Sequence, residues 1–417
     1  MKNSNLRISI NATFWNGITD IIVKSLTTGP LLTAYAISLG MGNILLGFLQ
    51  SIVSFSNLLH IVVSYFLEKG KSPKNIAYIS SFLSRPLLLL LAFSFFFREN
   101  PWGILIFVSS YILFYVLVST TGGAFWPWCK AIIPQSLTVS FFAHRIRYIL
   151  LVKILTVTTA TTILSFINTN YPSKNSSIYS FLLFFAFIVG LFYTYTLSRM
   201  QSVKLQNNVG LHFFKKIQVI LKNKKFLHLF LSIGFVNFTL SFFNAFSIVF
   251  LLKNLMLSVP MTICFSIGSS CVDILFIDLW KKYIYKNKLT RIISISSFLF
   301  IAAIMCLTCV SIYKIYIYPF LIIAFILIGI GNSGVNLVIS DVSITYIPTR
   351  MSSVYISLMN IGRSSFSGIG SFLAGIIIET LGYYTVYNWT FFFIFCGIFF
   401  IFSGIFCGRV KPVEGND

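Results

Sequence analysis

Twelve separate stretches of mainly apolar residues recur along the chain, centred near residues 24, 55, 86, 113, 157, 188, 239, 269, 301, 330, 365 and 396. Each is about 20 residues long, the length a helix needs to cross the hydrocarbon of a bilayer. Shared among 417 residues, twelve spans and their loops leave no room for a soluble domain. Charge content agrees: 10% of the residues are charged, against about 25% in soluble domains. The first apolar stretch is far longer than the apolar region of a signal peptide, and no small-residue cleavage site follows it. It reads as a retained span. The chain is therefore an all-α polytopic membrane protein.

The formal charge of +22 would suit a nucleic-acid binder, so its placement decides. With the N-terminus inside, 23 of the 31 Lys and Arg fall on the inner side and four on the outer, Arg98, Lys174, Lys253 and Lys314. The inner set includes Lys69, Lys71 and Lys74 after span 2, Lys130, Arg145 and Arg147 between spans 4 and 5, and seven residues between Arg199 and Lys225. That bias puts both termini in the cytoplasm by the positive-inside rule. The basic residues report topology, with anionic membrane lipid as their neighbour and no role for nucleic acid.

The basic stretch from Arg199 to Lys225 divides the chain into an N-terminal six-span half (1–198), a linker (199–225) and a C-terminal six-span half (226–417). Within the linker, Leu211, Phe214, Ile217 and Ile220 recur at spacings of three. That spacing fits a short helix on the inner leaflet; a flexible basic linker is the alternative. The halves are weakly self-similar: LLTAYAISLGMGNILLGFLQ resembles FLLKNLMLSVPMTICFSIGS, and GGAFWPWCKAIIP resembles NSGVNLVISDVSITYIP. Six-helix repeats of this kind place a binding site at the midplane between halves.

The turn SYFLEKGKSPK (64–74) carries Glu68, Lys69, Gly70 and Lys71, and WKKYIYKNK (280–288) repeats the basic residues after span 8 without the acid or the glycine. FWPWCKAIIP followed by FFAHRIR (125–147), and GIGNSGVNL (329–337) followed by Pro348 and Arg350, form matching turns in the two halves. In these features the chain resembles the major facilitator superfamily, whose signature after span 2 is Gly-x-x-x-Asp-Arg/Lys-x-Gly-Arg-Lys; Glu68 stands one residue away from the acid. The resemblance implies two six-helix pseudo-repeats and secondary transport by alternating access. It also implies gate or loop roles for Glu68, Lys69, Gly70 and Lys71, and it does not fix the substrate.

Four cations lie within spans: Lys24, Arg85, Lys153 and Arg363. Facing lipid they would together cost about 10–14 kcal/mol, so they face the protein interior or a watery cavity; Lys153 is near enough to the inner surface to snorkel. On span 1, Thr13, Asn16, Asp20 and Lys24 recur at three- and four-residue intervals and share one face. Asp20 and Lys24 are spaced as an i, i+4 ion pair. One reading makes Asp20 a proton or Na+ coupling site; the other makes the pair structural. Gly29-Pro30 bends that span, because proline removes a backbone donor. Arg85 and Arg363, with Asn360 beside the latter, are candidates for substrate binding or gating. Asn237 and Asn244 line a cavity or bridge helices. Asp278 and Asp341 sit near the inner surface as gate or loop candidates. Gly362, Gly368, Gly370 and Gly375 read as close-packing positions in span 11.

No enzymatic constellation emerges, the four His lack metal-ligand spacing, and no P-loop supports ATP-driven transport. No cofactor is called for. Cys306 and Cys309 lie within an apolar stretch and read as inert buried thiols. The expectation is a secondary transporter of a small solute, plausibly monomeric, in a bacterial cytoplasmic membrane. The deep charges lean toward an anionic or zwitterionic solute. Export of lipophilic compounds and a non-transporting membrane protein on the same fold are the alternatives. The orientation is directly testable: Lys216→Cys, in a background without other cysteines, should react with an impermeant maleimide only in opened cells, whereas Lys174→Cys should react in intact cells. Labelling of position 216 from outside would reverse the topology.

Overall fold

The computed structural model describes residues 2–97, 100–133, 135–170, 175–203, 213–284, 289–313, 317–345, 352–381, 394 and 396–398. All regular structure among them is helical. Among the described residues eleven helices are long and apolar enough to cross a membrane, so this is an integral membrane protein with a helical polytopic fold. The twelfth apolar stretch, centred near residue 396, falls largely outside the described residues.

The chain forms two compact units, Met1–Met41 with Ser56–Leu211, and Gly42–Phe55 with His212–Asp417. In the first, α1 (Lys2–Thr27), α2 (Gly29–Ser38), α4 (Leu59–Glu68), α5 (Pro73–Phe93), α6 (Pro101–Ile132), α7 (Gln135–Asn170) and α8 (Asn175–Arg199) follow in order. Helix α1 packs on α7 and α8, and α5 packs on α6 and α8. The first span breaks at Thr28, where the backbone is extended, and α2 restarts with Gly29 at φ +69° and Pro30 in its first turn. The break costs the carbonyl of Thr27 its helical partner, and the Tyr115 hydroxyl donates to it at 3.2 Å. Such replacement is obligatory where no water can serve the backbone. Pro86 and Pro127, by contrast, are carried within continuous helices α5 and α6.

One end of this unit is held by a core that includes Val63, Leu67, Ala77, Phe125, Trp128 and Leu197. The Trp128 indole donates to the Gln201 carbonyl at 2.8 Å. Lys74 donates to the Ser198 and Met200 carbonyls at 2.8 and 2.7 Å, a cation at the C-terminal end of α8 where the helix dipole favours one. Helix α6 runs to Ile132 and α7 begins at Gln135, so Lys130 and Arg145 belong to helices. Both still lie between the fourth and fifth membrane-crossing stretches, Pro101–Cys129 and Tyr148–Ile167, on helical extensions where a loop was expected.

The second unit contains α3 (Asn43–Ser56, its last residue grouped with the first unit), α9 (Phe213–Lys222), α10 (Lys224–Val249, continued by a π-turn over Phe250–Asn254), α11 (Val259–Ile284), α12 (Leu289–Tyr313), α13 (Ile317–Thr345) and α14 (Ser352–Leu381). Helix α10 packs on α14, and α13 on α11 and α12. Part of the basic linker is thus helical; Ile220 of α9 is buried while Lys215 and Lys222 are exposed. Glycines set the approach of α14 to its neighbours. A Cβ at Gly362 or Gly368 would meet the rings of Phe230 or Phe55. At Gly370 it would collide with the Phe238 carbonyl of α10. A Cβ at Gly47 would lie 2.9 Å from the Gly375 Cα.

A ring can rotate away from an added methyl group, but a helix carbonyl cannot. Gly370→Ala should therefore destabilise the protein by about 1–3 kcal/mol, lowering its thermal unfolding midpoint in detergent. Gly268→Ala, where nothing lies within 4 Å of the new Cβ, should leave the midpoint nearly unchanged. Equal midpoints for the two variants would contradict the packing described.

Candidate functional site

In the first unit the polar stripe of α1 is formed as its spacing predicts, with its members in different settings. Thr13 and Asn16 are buried, and the Asn16 amide donates to the Thr196 hydroxyl at 3.4 Å. Asp20 and Lys24 form an ion pair at 2.7 Å, with side chains 31% and 47% exposed. Both line a narrow cleft of about 10 Å³, room for one water molecule, together with Arg85, Tyr115, Thr121 and Tyr193. A pair this exposed contributes at most about 1 kcal/mol to stability. Its placement in the pocket wall matters more than its strength.

Arg85, on α5 one residue before Pro86, is only 4% exposed. Its guanidinium donates to the Ser81 hydroxyl at 3.1 Å and to the Thr194 hydroxyl at 3.4 Å, and it lies 4.6 Å from the centre of the Tyr193 ring. Space for it comes from Gly190 on α8, where a Cβ would fall 2.7 Å from the Arg85 Cδ. Every partner is neutral. Among the described residues no carboxylate approaches the guanidinium within the 4.0 Å of an ion pair. Hydroxyls and an aromatic face offset part of the desolvation of a buried charge, but they do not neutralise it.

Arg145 was missed as a site residue. It lies on α7, 6% exposed, and its Nε donates to the Thr13 carbonyl at 3.2 Å. The guanidinium sits 5.7 Å from the ring centres of both Phe125 and Trp126. Burial pushes it below its ordinary pKa, while Cys129, Asp20 and Tyr193 act in the opposite direction. The sequence signal for this placement was Gly17, on the same face of α1 as Thr13 and Lys24.

In the second unit Arg363 is half-buried on α14, and its Nε donates to the Asn237 Oδ1 at 3.1 Å. Asn237 is oriented for this, because its own amide donates to the Ile233 carbonyl at 2.8 Å. No carboxylate partners Arg363 among the described residues. Asn360 is half-buried three positions earlier, and Asn244 is exposed on α10. The same unit holds a polar cluster that sequence reasoning missed. The Asn43 backbone N–H donates to a Glu379 carboxylate oxygen at 3.2 Å, and Lys253 donates to the Asn43 side-chain oxygen at 3.2 Å. Glu379 thereby places an anion at the N-terminus of α3, where the helix dipole favours it. Lys253, expected in an outer loop, belongs to the π-turn that ends α10.

Of the loop candidates, Lys69 is exposed with its ammonium 4.5 Å from the centre of the Tyr65 ring, and Gly70 takes the left-handed φ of +82° that closes the turn. Lys71 and Asp278 are exposed. The side chains of Glu68 and Asp341 lie outside the described ones. Among the described residues no group of three His, Cys, Asp or Glu is placed to hold a metal.

The fold is that of the major facilitator superfamily. A mutant of the nucleoside transporter NupG superposes with a TM-score of 0.77 at 11% identity, covering 97% of this chain and 100% of that one. A D-xylose–proton symporter gives 0.71 at 12% identity, covering 99% and 98%. A POT family transporter in complex with 5-aminolevulinic acid gives 0.70 at 12% identity, covering 96% and 94%. No protein-family model and no curated sequence matches the chain.

Proposed function

We propose that the protein is a secondary transporter for a small anionic or zwitterionic solute, working by alternating access. The observation that carries the proposal is the absence of a carboxylate partner at either Arg85 or Arg363 among the described residues, although one is buried and the other half-buried. A guanidinium held this far from water gains most from a planar anion that it can grip through two hydrogen bonds. A structural arginine would be expected to have its acid within the fold; these two are fixed by hydroxyls, a ring and an amide, which hold the group in place while leaving its charge available. The transporters named above supply the class of activity, and their solutes are chemically diverse, so solute choice rests on this chain's own side chains.

Asp20 is the coupling group in this reading. Its carboxylate lines the same pocket as Arg85 and is held by Lys24. An arriving anion would compete for Lys24 and so alter the affinity of Asp20 for a proton or Na+. The membrane is the bacterial cytoplasmic one, with both termini inside, as the charge bias indicates. The lateral neighbours are anionic lipid, and a monomer suffices.

Arg85→Lys and Arg363→Lys, made separately, retain charge but lose the planar fork. Each should weaken binding of the transported solute at least tenfold, about 1.4 kcal/mol, measured by its concentration dependence in proteoliposome uptake. Asp20→Asn should abolish accumulation against a gradient while sparing solute exchange. Unchanged affinity in both Arg variants would remove the anion-binding role, and unchanged accumulation would remove the coupling role.

A further inference from the structure

Asp20 is surrounded by more positive charge than its single ion pair accounts for. Lys24 on α1 holds the carboxylate at 2.7 Å, and Tyr115 on α6, Tyr193 on α8 and Arg85 on α5 line the same pocket. Arg145 on α7 also acts electrostatically on this group. Its position is specific. The guanidinium fills a notch in α1 made by Gly17, where an added Cβ would lie 2.6 Å from Nε and 2.8 Å from Cζ. Thr13, Gly17, Asp20 and Lys24 follow one face of the helix, at intervals of four, three and four. Arg145 therefore stands about one turn before Asp20, and Lys24 one turn after it.

The chemistry of Arg145 is unfinished. Its Nε is bonded to the Thr13 carbonyl, and two rings cover its faces, but neither terminal nitrogen has a hydrogen-bond partner among the described residues. Burying a guanidinium without a counter-ion is costly, because its hydration is lost and nothing replaces it. Lys24, by contrast, is nearly half exposed and on a flexible stem, so releasing the carboxylate costs it little. Arg85 is already turned toward Ser81 and Thr194.

We propose that Arg145 is the alternate partner of Asp20, and that the carboxylate passes from Lys24 to Arg145 when an anionic solute occupies Lys24. Arg145 is then a positioning residue acting through Asp20, and Gly17 is the feature of α1 that admits it. The exchange gives solute binding at one end of the stripe an effect at the other, where α7 packs on α1. Its purpose rests on the anion-transport reading, but its test needs no solute, so the two stand or fall separately.

Lys24→Gln removes the observed partner from the full-length protein and asks where Asp20 goes. Adding Asp20→Asn to that variant should lower the thermal unfolding midpoint by about 2 °C or more, because it breaks the pair with Arg145. If the carboxylate were instead stranded, neutralising it would raise the midpoint or leave it unchanged, and the proposal would be overturned. The lowering must also vanish when Arg145→Gln is present; if it persists, Arg85 holds the carboxylate and the proposal is wrong. A cryo-EM structure of Lys24→Gln settles the same point without altering position 145. Asp20 within about 4 Å of the Arg145 guanidinium upholds the exchange, and a carboxylate left on any other group refutes it.

Discussion

Among the described residues of one helical unit, Asp20 pairs with Lys24 and shares a cleft with Arg85, while Arg145 packs against α1 at Gly17 about one turn away, so one carboxylate stands among three cations. The rest of that unit is arranged around this imbalance. Glycines at 17 and 190 open α1 and α8 to admit the two guanidinium groups. Tyr193, Phe125 and Trp126 present ring faces to them, and Ser81, Thr194 and the Thr13 carbonyl accept their hydrogen bonds. None of these groups neutralises charge. Such a cluster is costly in a hydrocarbon surrounding, and in the proposed reading a bound anion completes it.

The break in the first span serves the same arrangement. Helix α1 ends at Thr27, one turn beyond the Asp20–Lys24 pair, and α2 begins at Gly29. The carbonyl freed there is taken by Tyr115, which also lines the pocket. The pocket wall and the backbone repair therefore share a residue. The second unit uses a lighter version of the same logic: Asn237 fixes Arg363 by its amide oxygen and is itself fixed by the Ile233 carbonyl.

Much of this was legible in the sequence. Span length and low charge content gave the polytopic helical class, and three-four spacing put Asp20 and Lys24 on one face of α1. The glycines of α14 meet neighbours directly, as their clustering implied. What stayed hidden depended on chain segments distant in sequence. Arg145 reads as a loop base beside Arg147 until α7 is seen to begin at Gln135. Ser81 and Thr194 are ordinary small polar residues until Arg85 lies between them. The Glu379–Asn43–Lys253 cluster joins residues more than 100 positions apart, and no local spacing announces it.

The account rests on the claim that unneutralised guanidinium groups exist to meet an anion. Thermal-shift screening of the purified full-length protein against a panel of anionic, zwitterionic, neutral and lipophilic compounds tests that claim most directly, since a ligand stabilises the state it binds. A carboxylate, phosphate ester or amino acid should raise the unfolding midpoint in the wild type and fail to do so in the Arg85→Lys and Arg363→Lys variants. Stabilisation confined to neutral lipophilic compounds, and equal in wild type and variants, would contradict it.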